Sequence, residues 1–168
     1  QKKPQTRSKP RSQGVESTSE EAQISRGPAV WEVDILCELL LFPLIRERLS
    51  ELEGFNWSPP VRALVGDLAD SEVDLEEVFG NYVSKYSILR RLQSVEPIVD
   101  LDRDLTQERA ERTFNTIKVR LEVRQVDEAL HDVIRELRIA ADKGLEIDEL
   151  IVRKQQLTRR KRELLAST

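Results

Sequence analysis

Four carboxylates crowd one short stretch, "DLDRDLTQERAE". Asp100, Asp102, Asp104 and Glu111 fall at positions 1, 3, 5 and 12 of the loop with which EF-hands wrap calcium. That chemistry also needs a glycine at position 6 to make the sharp turn, and Leu105 stands there. A second reading is electrostatic: Asp102 or Asp104 stands just ahead of a long helical pattern and complements the positive end of that helix. Asp100 and Asp102 also make an Asp-x-Asp pair like those that hold magnesium in nucleotidyl-transfer sites. Such sites rest on strands, and no stretch of this sequence alternates with period two between turn signals. His131, the lone histidine, follows Asp127 by one helical turn. General-base catalysis would also need a nucleophile and an oxyanion site, neither of which is indicated, so a helix-surface ion pair accounts for the two residues. There is no glycine-rich phosphate loop and no nucleophile elbow. One Cys and one His leave no ligand set for structural zinc. The expectation is a segment that is not an enzyme by itself, with no catalytic residue, metal or cofactor.

The elements that position these residues follow from composition and periodicity. With 35% charged and 5% aromatic residues, the chain favours helices with solvated faces over a strand-rich sandwich. A net charge of -4 argues against a nucleic-acid clamp and leaves room for local basic patches. Cys37 lies between Leu36 and Glu38 in an apolar run and reads as a small buried hydrophobe in a reducing, cytoplasmic setting. That run, "ILCELLLFPLIRERL", is too short and too interrupted by charge to span a membrane. The chain begins at Gln1 and holds no methionine, which reads as a piece of a longer protein.

Residues 1–27 are rich in Lys, Arg, Pro, Ser, Gln and Glu and nearly free of large apolar side chains, the composition of a flexible linker. Their basic start, Lys2 to Arg11, reads as a solubilising tether or as a segment that brushes phosphates. From Pro28, which suits a first helical position, Trp31, Ile35, Leu36, Leu39 and Leu40 follow at helical spacing. Pro43 must break that helix, and the pattern restarts through Leu44, Ile45, Leu49 and Leu52 until Gly54. Ser58-Pro59 starts another helix, Asp74 with Glu77 forms a capping box for the next, and a further helix through Tyr86, Ile88, Leu89 and Leu92 ends before Pro97. Residues 28–105 thus read as a bundle of short helices.

From Thr106 to about Asp142 neither Pro nor Gly interrupts, which allows one helix of roughly 55 Å. Its apolar stripe changes face: Ala110, Phe114, Ile117 and Leu121 lie on one side, and Val119, Val123, Val126, Leu130, Val133, Leu137 and Ala141 on another. The first set is assigned to the bundle. The second is assigned to a final helix beyond "DKGLEID", where Gly144 suits a left-handed terminus and Asp148 a cap. Residues 106–168 then form a long helix and a C-terminal antiparallel hairpin, so the fold class is all-α. The last helix carries the basic run "RKQQLTRRKREL" beside a seam of Leu150, Leu157 and Leu164. A solvated basic face, a protein contact and a nucleic-acid contact all fit such a run; the apolar seam and the acidity of the whole favour protein.

The order of parts resembles the C-terminal helicase-binding domain of bacterial replicative DNA primases. The resemblance rests on a Lys/Pro/Ser/Gln linker, "WEVDILCELLLFPLIRERL", short helices, a long helix with "RLEVRQVDEALHDVIREL", and a hairpin ending "LTRRKRELL". It covers nearly all of residues 29–166. Where the family carries His-Pro or a similar pair after its Leu-rich helix, Phe42 precedes Pro43 here. The resemblance implies that the hairpin docks on the hexameric replicative helicase and that the bundle helps to stimulate it. The implied contacts are Leu145, Ile147, Leu150, Ile151, Lys154, Leu157, Arg160, Lys161, Leu164 and Leu165. It further implies a monomer alone, no membrane, and no sequence-specific nucleic-acid contact by this domain. Primer synthesis, with its zinc and magnesium, would belong to the parent enzyme's other domains. The N-terminal domain of the replicative helicase is similar in architecture, and a helical adaptor or oligomerisation module is the other alternative; a chain ending just after the hairpin favours the primase.

Overall fold

The computed structural model describes residues 27–70, 73–98 and 103–166, and among them every regular element is a helix. The linker expected at residues 1–27 lies outside the described residues except for Gly27, as do Asp100 and Asp102.

Helix α1 (Val30–Leu40) starts two residues later than Pro28 suggested. Ala29 is extended (φ -83°, ψ 153°), and its N–H donates to the Glu32 carboxylate at 2.7 Å. The same carboxylate, only 1% exposed, accepts the Ser58 N–H and, at 2.8 Å, the Ser58 hydroxyl. A buried carboxylate must find donors, and this one takes them from two chain segments at once. That explains a second departure: Ser58 precedes helix α2 (Pro59–Ala69) as expected, but its hydroxyl serves Glu32 instead of capping the helix.

Pro43 breaks α1 as expected. The restart over Pro43–Leu52 is a 3-10 helix, not an α-helix. Residues three apart eclipse in that form, which stands Arg48 over Glu51 at 2.7 Å and lines Arg46 up with Leu49 and Leu52. The Arg46 guanidinium donates to the carbonyls of Leu68, Asp70 and Val73 at 3.0, 2.6 and 2.7 Å, closing the C-terminal end of α2. Gly54 does not take a left-handed conformation; the Leu52 carbonyl accepts both the Phe55 backbone N–H at 3.2 Å and the Trp57 indole N–H at 2.7 Å. The end of this helix is therefore closed by a backbone turn together with the Trp57 side chain, not by a left-handed glycine.

Helix α3 (Leu75–Lys85) is capped by Asp74 through the Glu76 amide at 3.0 Å. The expected helix through Tyr86 to Leu92 is a 3-10 turn (Ser87–Leu89) running into a single helical turn, α4 (Arg90–Gln93). The chain then returns to α1, where the Ile98 N–H donates to the Leu41 carbonyl at 2.7 Å.

Helix α5 (Arg103–Asp142) is continuous over 40 residues, about 60 Å. It begins three residues before Thr106. Ala110, Phe114, Ile117 and Leu121 are buried in the core with α1, the 3-10 helix and α2, as the first stripe predicted. The core of residues 28–105 is therefore completed by the first half of α5. Charged side chains clamp its rim: Arg120 to Glu38 at 2.7 Å, Lys118 to Glu51 at 3.0 Å, and Arg48 over the Phe114 ring at 4.0 Å.

Beyond Leu121 the helix leaves the core and turns back through a Schellman motif. Gly144 has φ +64°, its N–H donates to Ala141 and the Leu145 N–H to Ala140. Helix α6 (Asp148–Ala166) returns antiparallel along α5.

Candidate functional site

The hairpin is built from facing seams. On α5, Val133 and Ala140 are buried and Val126, Leu130 and Leu137 half-buried; Ala141, expected on this stripe, is exposed, because the heptad spacing from Val133 selects Ala140. On α6, Leu164 is 7% exposed and Leu150 and Leu157 half-buried. Leu164 reaches the root of the hairpin, lining a cleft with Val126 and, from the bundle, Phe55 and Gly54.

The ten residues assigned to docking therefore divide. Leu150, Leu157 and Leu164 form the hairpin's internal seam and hold α6 on α5. Arg160 is spent on Glu122 at 3.2 Å, and half-buried Lys161 on Asp127 at 2.6 Å. Asp127 thus serves the hairpin and is not the partner of His131, which is exposed. Leu145 (60% exposed), Ile151 (38%), Leu165 (56%) and Lys154 face outward, and Ile147 is half-buried in the turn. The outward surface also includes Ile134, Ile139 and Val152, which the sequence reading had not singled out. Their signal was present as apolar residues off the heptad seam.

Ile151 and Lys154 line a shallow groove of about 390 Å³ with Leu137, Thr158 and Arg162. Its walls mix aliphatic and cationic groups, a surface able to hold a helix but with no nucleophile or acid–base pair to do chemistry. Among the described residues no cluster of His, Cys, Asp and Glu is arranged for a metal ion. From Arg103 onward the stretch that would have to wrap calcium is helix, which spreads Asp104 and Glu111 along its axis.

A second concavity, about 430 Å³, lies where α5 crosses the bundle. Trp31 and Trp57 stack there at 5.8 Å, and the Arg124 guanidinium covers Trp31 at 3.8 Å. Glu128 accepts from the Asn56 amide at 3.1 Å. These groups satisfy one another, so the cleft is a buttress for α5. Cys37 is half-buried against the core, and burial is the main cause that raises its thiol pKa. No helix among the described residues is long and apolar enough to cross a membrane. No known protein family, curated protein or solved structure matches the chain.

Proposed function

We propose that this chain is the helicase-docking module of a bacterial replicative primase. In this reading the bundle seats one half of α5, and the hairpin presents the other half with α6 to the hexameric replicative helicase. The parent enzyme's zinc-binding and polymerase domains would then make RNA primers at the fork. One observation carries the reading. Among the described residues the hairpin's own interface buries Val133, Ala140 and Leu164 and half-buries the rest of its seam, while Ile134, Ile139, Leu145, Ile151, Val152 and Leu165 stay exposed around it. A two-helix element with so thin an interior gains by being covered, which supports a contact site there. The resemblance in order of parts supplies the identity of the cover.

The test is a pull-down of the chain, with and without residues 143–168, against hexameric replicative helicases from several bacteria. Binding by the intact chain and its loss on truncation are expected. No binding by the intact chain, together with self-association in the ultracentrifuge, would replace this reading with an oligomerisation module. Substituting Leu157 and Leu164 does not serve as the test, because both hold the hairpin together.

A further inference from the structure

The two flanks of the hairpin seam are not equivalent. On one flank Arg153 reaches Glu136 at 3.8 Å and Arg160 reaches Glu122 at 3.2 Å, so both cations are matched across the helices. On the other flank Lys161 meets Asp127 at 2.6 Å. One heptad further along that flank, the antiparallel register brings Lys154 opposite Ile134 instead of a carboxylate. The ladder of ion pairs thus stops after one rung, and an aliphatic side chain 40% exposed stands where the next acid would be. Arg162, on the same side of α6 as Lys154 and Ile151, also has no carboxylate within ion-pair distance among the described residues.

Resting on the docking reading above, we infer that this flank, and not the matched one, receives the partner, and that the partner presents a helix with an apolar stripe edged by carboxylates. The groove between Leu137 and Ile151 takes the stripe, giving the hairpin the third helix its interior lacks. Lys154 and Arg162 take the carboxylates on its edge. Charge complementarity selects the occupant: Asp127 is the sole carboxylate at the helical positions of α5 from Val123 to Ala141 that face this side, and Lys161 already holds it. A basic partner or a nucleic acid would leave the aliphatic stripe unmatched or exposed.

The experiment measures binding of hexameric bacterial replicative helicase to the intact chain and to two variants by fluorescence anisotropy. In the first, Lys154→Glu with Arg162→Glu reverses the open flank; both side chains are exposed and unpaired, so the fold is retained, and circular dichroism checks it. In the second, Arg153→Glu with Glu136→Arg swaps the matched flank while preserving the pair. A loss of about thirtyfold or more in the first and less than about threefold in the second is expected, because like charges opposed across an interface are costly. Retention by the first variant, or equal loss in both, overturns the assignment of the flank while leaving the docking reading intact. Failure of the unsubstituted chain to bind any helicase overturns both.

Discussion

Glu32→Ala tests the reasoning behind the bundle most directly. The Glu32 carboxylate is buried and receives the Ala29 N–H, the Ser58 N–H and the Ser58 hydroxyl, joining the entry of α1 to the entry of α2. Removing it strands two amides; the hydroxyl can rotate to another partner. A hydrogen bond to a charged group contributes about 1.5–3 kcal/mol net, so two amides at the lower figure give a loss of about 3 kcal/mol. For a chain of this size that corresponds to a fall in Tm of about 10 °C. Glu32→Gln keeps one acceptor oxygen and turns an NH2 toward the remaining donors, and should lose about half as much. Urea unfolding followed by tryptophan fluorescence is the assay, since Trp31 and Trp57 flank the site. Ser58→Ala should cost clearly less in the Glu32→Ala background than in the unsubstituted chain, because the two residues share one interaction. A loss below about 1 kcal/mol for Glu32→Ala would refute the account, showing that the amides find other partners.

Two further outcomes follow from the same geometry. Leu164→Ala removes a side chain 7% exposed from the root of the hairpin. It should cost about 2–3 kcal/mol, and hydrogen exchange should quicken over α6 while residues 30–69 keep their protection; uniform quickening would show that hairpin and bundle unfold as one unit. Glu51 is held at a pKa of about 2, first by its hydrogen bond from Arg48 and then by that from Lys118. A carboxylate lowered in the folded state stabilises above its ordinary pKa, and that contribution fades as pH falls from there toward 2. NMR titration should therefore find Glu51 ionised to about pH 2, and Arg48→Ala should move its midpoint upward; an unchanged midpoint would discount the Arg48 contact.

Much of the fold was legible because it rests on local rules. Pro43 cannot continue a helix, Gly144 supplies the one left-handed residue described, and the two stripes of α5 differ in face by simple helical geometry. What escaped depends on residues distant in sequence. Pro28 is not the first helical residue because Glu32 binds Ala29 and Ser58 together. Gly54 is not a left-handed terminator because the Phe55 N–H and the Trp57 indole share the Leu52 carbonyl. The 3-10 form of Pro43–Leu52 goes with Arg46 reaching the carbonyls beyond α2. The site was legible in outline only. Heptad spacing marked Leu150, Leu157 and Leu164 as a seam, but spacing does not say whether a seam faces its own hairpin or a stranger; the antiparallel register against α5 decides that. Ile134 was visible only as an apolar residue off the heptad seam, and Arg162 as one cation in a basic run; the register is what placed them on the same side.

Helix α5 belongs to two cores at once, and this makes it a lever. Its fulcrum is the stretch from Ala110 to Glu128, set in the bundle and braced against it by Arg124 and Glu128, and its free arm runs from Glu128 to Asp142, about 21 Å. A tilt of about 10° in that seat displaces the tip by about 4 Å with no change inside the hairpin. Arg124 on Trp31 and Glu128 on Asn56 form the outer end of the fulcrum, where a small adjustment is magnified along the arm. The aim of the tip is thus governed by side chains far from anything it touches.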